Sequence, residues 1–211
     1  MISRWPAALI AGALAAHPGY AQTPPKADLA RAQSIVTQVC VACHGTDGNS
    51  VQAVNPNLAG QHAEYTLKQL TNFKAQNGKP AARPSAVMAG MVANLSADDM
   101  RSLAAFFEGQ KPKARAARDP QLVKLGQTLY RGGVSARGIA ACTACHGPNG
   151  AGVPTQFPRL AGQHAEYTMS QLKAFRTGER ANDPSQMMRA VAEKLTDREI
   201  AAVAEYISGL R

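Results

Sequence analysis

One frame occurs twice in this chain of 211 residues, and it limits the possible folds more than any other feature. The first copy reads Cys40-Val41-Ala42-Cys43-His44, followed by Pro56-Asn57-Leu58-Ala59-Gly60. The second, 102 positions on, reads Cys142-Thr143-Ala144-Cys145-His146, followed by Pro158-Arg159-Leu160-Ala161-Gly162. In both, the proline comes twelve residues after the histidine. Cys-x-x-Cys-His marks covalent attachment of haem c. The two thiols add across the porphyrin's vinyl groups, and the histidine is held beneath the iron. All four cysteines are spent in these motifs, so two haems are expected. A thioredoxin-like dithiol or a zinc site is the competing reading. Zinc needs a fourth ligand in each half, and the repeated histidines His62 and His164 offer one.

The repeat divides the chain into two small domains, each too short for its core alone to be strongly stabilising. Only 5% of residues are aromatic, so a covalently held macrocycle would supply apolar volume that side chains do not. Residues 1–21 read as an export signal: Arg4, the apolar run Ala7–Ala16, then Gly19-Tyr20-Ala21 as a cleavage site. Export agrees with haem attachment outside the cytoplasm. The net charge of +9 is uneven, with +1 in the signal, +1 in 22–110, +4 in 111–118 and +3 in 119–211. An exported haem protein has no use for a nucleic-acid partner. The basic segment Lys111–Arg118 either steers docking to acidic partners or anionic membrane, or is a solvated linker held open by self-repulsion.

Helical periodicity dominates, and no stretch sustains the alternation of a strand. In the first half, helices are expected from Asp28 into Cys40, over Gln61 to about Gln76, and from an N-cap at Ser96 to Gly109. In the second, Asp119-Pro120 opens a helix ending at Gly132-Gly133. The segment LAGQHAEYT recurs at 58–66 and 160–168, and Thr196 with Glu199 makes a capping box. Ala32-Gln33-Ser34 matches Gly126-Gln127-Thr128 at an offset of 94, so the loop VSARGIAA before Cys142 is an eight-residue insertion. The expected fold is all-α.

His44 and His146 are the expected proximal ligands. Pro56 and Pro158 could offer a carbonyl to the other ring nitrogen, which would orient the imidazole; loop rigidity alone is the alternative. The sixth ligand separates a carrier from a catalyst, because His/Met ligation raises the potential and closes the iron. With the capped helix starts aligned at an offset of 100, Met88 falls on Met188, whereas Met91 falls on Val191 and Met187 on Val87. Positions exchanging methionine with valine read as core, which leaves Met88 and Met188 as axial ligands. His62 and His164 read as exposed helix-start histidines, as donors to a haem propionate or to the other domain, or as alternative ligands.

Two class I cytochrome c domains in tandem, an export signal, a short charged linker, Pro-x-Leu-x-Gly after each haem motif and a methionine before each last helix resemble the cytochrome c4 family. The resemblance covers essentially the whole exported chain. It implies a monomeric, soluble or peripherally membrane-associated periplasmic dihaem carrier. Electrons would pass from a quinol–cytochrome c oxidoreductase, or another donor, to a haem–copper terminal oxidase. It also implies domains packed with haems facing across a pseudo-twofold interface, a symmetry that the insertion before Cys142 breaks locally. A dihaem peroxidase or the cytochrome subunit of a periplasmic dehydrogenase is the alternative; the peroxidase needs an open iron, which two methionines would deny it.

Overall fold

The structure is a computed structural model that describes residues 26–76 and 78–211. The expected signal at 1–21 lies outside them. Among the described residues the chain is helical, with isolated antiparallel bridges at Gln76–Lys79, Val134–Ile139 and Val153–Phe157. The first half carries α1 (Leu29–Ile35), α2 (Val41–His44), α3 (Ala63–Phe73), α4 (Ala86–Val92) and α5 (Ala97–Glu108). The second carries α6 (Pro120–Gly132), α7 (Thr143–His146), α8 (Ala165–Thr177), α9 (Met187–Ala192) and α10 (Asp197–Gly209).

The helix starts follow capping chemistry. Ser96 and Asp99 close a reciprocal capping box on α5, and Thr196 and Glu199 do the same on α10. The Asp119 carboxylate accepts from the amides of Gln121 and Leu122 ahead of Pro120, which has no amide to satisfy. Each half is built on its first helix packing against its last. Ala32, Ile35 and Val36 bury against Leu103, Phe106 and Phe107. Leu129 and Tyr130 bury against Ile200, Val203, Tyr206 and Ile207. Where α6 crosses α10, a Cβ on Gly126 would lie 2.0 Å from the Ala202 carbonyl oxygen, so glycine is what lets the two backbones approach.

Several expectations are corrected. The middle helices run Ala63–Phe73 and Ala165–Thr177; the first stops short of Gln76 because Lys74 is extended. In the first half the chain passes from α1 through a π-turn, Val36–Cys40, into α2. In the second, the inserted loop takes the place of that turn. It leaves α6 at Gly133, whose φ of +63° suits glycine, and folds on itself through Val134 and Ile139. Ile139 enters the core, and Arg137 pairs with Glu199 on α10, so the insertion is packed structure.

The segment 111–118 is not a strand of chain held open by repulsion. Lys113 pairs with Asp47, and its amide, with the Lys111 carbonyl, binds the Asn49 side chain. Arg115 donates to the Ser50 carbonyl, Arg118 pairs with Glu166, and Glu205 accepts the amides of Arg118 and Asp119. Pro112 rests against Gly60 and Ala117 against Gly209. The strap is fastened to both halves.

The halves meet through exchanged hydrogen bonds. Gln61 accepts from the Arg159 amide at 2.9 Å and donates to its carbonyl at 2.9 Å. Gln163 treats Asn57 in the same way, at 2.9 and 3.0 Å. Each glutamine therefore pairs with backbone as a neighbouring strand would, and each grips the residue after the other half's loop proline.

Two outcomes follow for stability. Gly126→Ala should destabilise the second half by about 1–3 kcal/mol through overpacking, read as a lower thermal midpoint. Gly132→Ala, with nothing within 4 Å of the added carbon, should leave that midpoint in place. Replacing Gln61 and Gln163 together by alanine strands four backbone groups at about 1–3 kcal/mol each where water cannot replace the lost partner. Calorimetry should then separate the halves into two transitions; a single unshifted transition would show that the clasp contributes nothing.

Candidate haem sites

Each Cys-x-x-Cys-His run is a single helical turn that ends in a glycine of positive φ, Gly45 or Gly147. The geometry at the histidines is the same in both halves. His44 Nδ1 lies 3.0 Å from the Pro56 carbonyl oxygen, and His146 Nδ1 lies 3.0 Å from that of Pro158. A carbonyl can only accept, so Nδ1 carries the proton and Nε2 keeps its lone pair. Burial lowers the pKa of both rings, against the opposing pull of the carbonyl, so both are neutral at pH 7. A neutral imidazole with a fixed tautomer and a free Nε2 is what a metal centre requires. The proline carbonyls thus do more than stiffen a turn.

All four cysteines are partly buried and none forms a disulfide. Cys40 packs on the first core and Cys142 on the second. The zinc alternative fails on its fourth ligand. His62 Nε2 is 2.9 Å from the Ala151 carbonyl and His164 Nε2 is 3.0 Å from that of Ser50, so each ring serves the opposite half. No group of three or more metal-binding side chains forms among the described residues. The expectation of an exposed helix-start histidine is also corrected: His164 is buried, and both rings cap the interface.

Met88 and Met188 occupy equivalent places by different means. Met88 lies in the first turn of α4, where Ser85 Oγ accepts its amide, and it packs on Phe73, Val92 and Met100. Met188 lies at the start of α9 and packs on the second core. It is preceded by Ser185 and Gln186 at φ 50° and 59°, a left-handed pair that non-glycine residues adopt at a cost of order 1 kcal/mol each. Asp183 braces this turn by accepting from the amide and Nε of Arg189. The premise that methionine–valine positions are core is not met throughout, because Met91 and Val87 are 46% and 65% exposed. Exposure sets those two apart from Met88 more directly than the exchange did.

Sequence reasoning missed the two buried arginines. Arg83 and Arg180 lie over the rings of Phe73 and Phe175 in their own halves and reach across the interface to Tyr167 and Tyr65. Every acceptor they find is a neutral oxygen, on Gln69, Gln171, Asn182 or a tyrosine. Burial would raise the Tyr65 hydroxyl, but Arg180 and Arg83 outweigh it and hold that pKa down. Thr66 Oγ1 and Gln69 Nε2 are buried in the same region without a partner. Two buried cations beside unpaired donors suit carboxylates, and each haem carries two as propionates. The residues therefore fit the group that the cysteines call for. A lone arginine in a polar loop carries no period or spacing that would have disclosed this.

Comparison with known proteins agrees. The family described as cytochrome c matches residues 29–111 and again 123–211. Cytochrome c4 from Azotobacter vinelandii is 52% identical over 179 residues, 82% of this chain and 84% of that protein. The thiosulfate dehydrogenase electron acceptor of Stutzerimonas stutzeri is 36% identical over 209 residues, 98% of this chain and 94% of its own length. The crystal structure of reduced recombinant cytochrome c4 from Pseudomonas stutzeri superposes with a TM-score of 0.82 at 44% identity, covering 88% of this chain and 100% of that one. Two haem-attachment turns on two like-folded halves place this chain in the cytochrome c4 family of dihaem electron-transfer proteins, with one haem c on Cys40 and Cys43 and the other on Cys142 and Cys145.

Proposed function

We propose that the protein is a periplasmic carrier that relays single electrons between respiratory complexes, towards a haem–copper terminal oxidase, and performs no catalysis of its own. Residues 1–21 direct export, 22–110 and 119–211 are the two haem domains, and 111–118 joins them in a monomer. His44 and Met88 ligate one iron, and His146 and Met188 the other. Between an imidazole nitrogen and a thioether sulfur, haem iron supplies a one-electron couple with no coordination position left for substrate. The carbonyls of Pro56 and Pro158 hold the imidazoles, and the cross-domain glutamines hold the loops that carry those carbonyls. The single observation that supports the reading best is the matched pair of neutral, Nδ1-tethered histidines, each in a half that also packs a partly buried methionine against its core at the equivalent place.

A second reading is favoured by one observation. The similarity to the thiosulfate dehydrogenase electron acceptor runs over nearly the whole chain. In that reading the protein accepts electrons from a periplasmic dehydrogenase rather than from quinol oxidation. Mixing the oxidised protein with thiosulfate and thiosulfate dehydrogenase, or with quinol and quinol–cytochrome c oxidoreductase, separates the two by which mixture bleaches the ferric spectrum within a turnover.

The ligand assignment has its own test. Met88→Ala and Met188→Ala should each remove about half of the near-infrared sulfur-to-iron band and open one iron to carbon monoxide. Met91→Ala and Met187→Ala should leave it whole. Loss of the band in Met91→Ala and not in Met88→Ala would reverse the assignment.

A further inference from the structure

The two haem-attachment turns face solvent through surfaces of different chemistry. Beside the second turn, the strap at 115–117 and the exposed edges of α6 and α10 enclose an open cleft of about 400 Å³. Arg115, Arg131 and Arg211 line it together with Val123, Gln127 and Tyr206. No aspartate or glutamate side chain lines it. The nearest acid of α10, Glu205, is committed to the amides of Arg118 and Asp119. Arg131 ends the α6 stripe Val123, Gln127, Arg131, and its carbonyl is 3.5 Å from Thr143 Oγ1, inside the Cys142–His146 turn. Its Nε is held by the Tyr206 hydroxyl at 3.2 Å, and Arg115 is held by the Ser50 carbonyl at 2.8 Å.

In the first half the matching stripe, at the offset of 94, is Leu29, Gln33, Thr37, with no charge. The loop beside the first turn exposes Val51 and Val54 at 93% and 72%. Nor does the basic strap present four free cations. Lys113 and Arg118 are already paired with Asp47 and Glu166. The three guanidiniums of the cleft have no carboxylate partner among the described residues.

We infer that this cleft is a docking surface for a redox partner that presents clustered carboxylates, and that such a partner exchanges electrons with the second haem rather than the first. Charge complementarity carries the assignment: three arginines, two of them pre-oriented by neutral hydrogen bonds, line one cleft that no aspartate or glutamate lines. Guanidinium groups favour paired carboxylates in planar geometry. The uncharged stripe of the first half offers an acidic partner nothing comparable. This deepens the carrier reading and rests on it.

Two measurements test it. The first needs no electron transfer. A hexaglutamate peptide titrated into the labelled holoprotein should shift the amide resonances of residues 115–117, α6 and the end of α10. Shifts confined to 111–113 or to the first half would overturn the assignment. The second uses photoreduced flavodoxin, a strongly acidic donor, which gives one electron to a ferric haem at each productive encounter. The wild-type bimolecular rate should fall by about tenfold or more as salt rises from roughly 10 to 300 mM. Arg131→Gln with Arg211→Gln, both exposed positions, should lower the low-salt rate by about five- to tenfold and flatten the salt dependence. Lys111→Gln with Lys113→Gln should stay within about twofold of wild type. If the lysine pair flattens the dependence and the arginine pair does not, docking lies on the strap while the carrier reading stands. Absence of any electron uptake from flavodoxin would instead sink the carrier reading.

Discussion

The bond from a histidine Nδ1 to a proline carbonyl is the constraint on which the rest of this molecule depends. It sets the tautomer and directs Nε2 of a ring that burial keeps neutral, and it joins two segments twelve residues apart in sequence. Everything around it serves to hold the carbonyl still. Proline limits its own backbone, and the next residue, Asn57 or Arg159, is gripped on both amide and carbonyl by a glutamine from the other half. Each half therefore steadies the site of its partner. Buried polar contacts of this kind are specific because an unmet partner is costly. That gives a physical reason for two small domains to remain docked in one arrangement.

Symmetry is kept at the interface and given up outside it. The glutamine clasps, the histidine caps and the arginines stacked on phenylalanine occur once in each half. Away from the interface the halves diverge. A π-turn leads into one haem motif and a packed loop into the other, and the two methionines are presented by a serine cap and by a left-handed turn. The solvent faces differ too, with an uncharged stripe on the first helix of one half and an arginine-lined cleft beside that of the other. A dihaem electron-transfer protein needs like cores for like cofactors, and the symmetric part supplies them.

Much of this was legible in the order of residues. The capped starts of α5, α6 and α10 are local chemistry within a few residues, and they appear where Ser96, Asp119 and Thr196 indicate. The Pro-x-Leu repeat pointed to the carbonyl acceptors, because a fixed spacing was visible in two copies. For His62 and His164 solvent, a propionate and the other domain all stayed open, because a histidine at a helix start looks the same whichever of them faces it. For the strap, docking surface and open linker both stayed possible, because a run of positive charge does not reveal that Asp47, Glu166 and Asn49, distant in sequence, come to meet it.

The sequence by itself determined the two covalent haem-attachment turns, the all-helical halves and their family, since spacing, capping and periodicity are properties of neighbouring residues. Only the tertiary structure decided which groups satisfy Arg83 and Arg180, where the rings of His62 and His164 turn, and which cations of the basic chain stay unpaired. Those outcomes depend on partners 84 to 115 residues away, brought close by the packing of two domains. Burial then makes each such contact matter, because a polar group removed from water must find its partner there or go without.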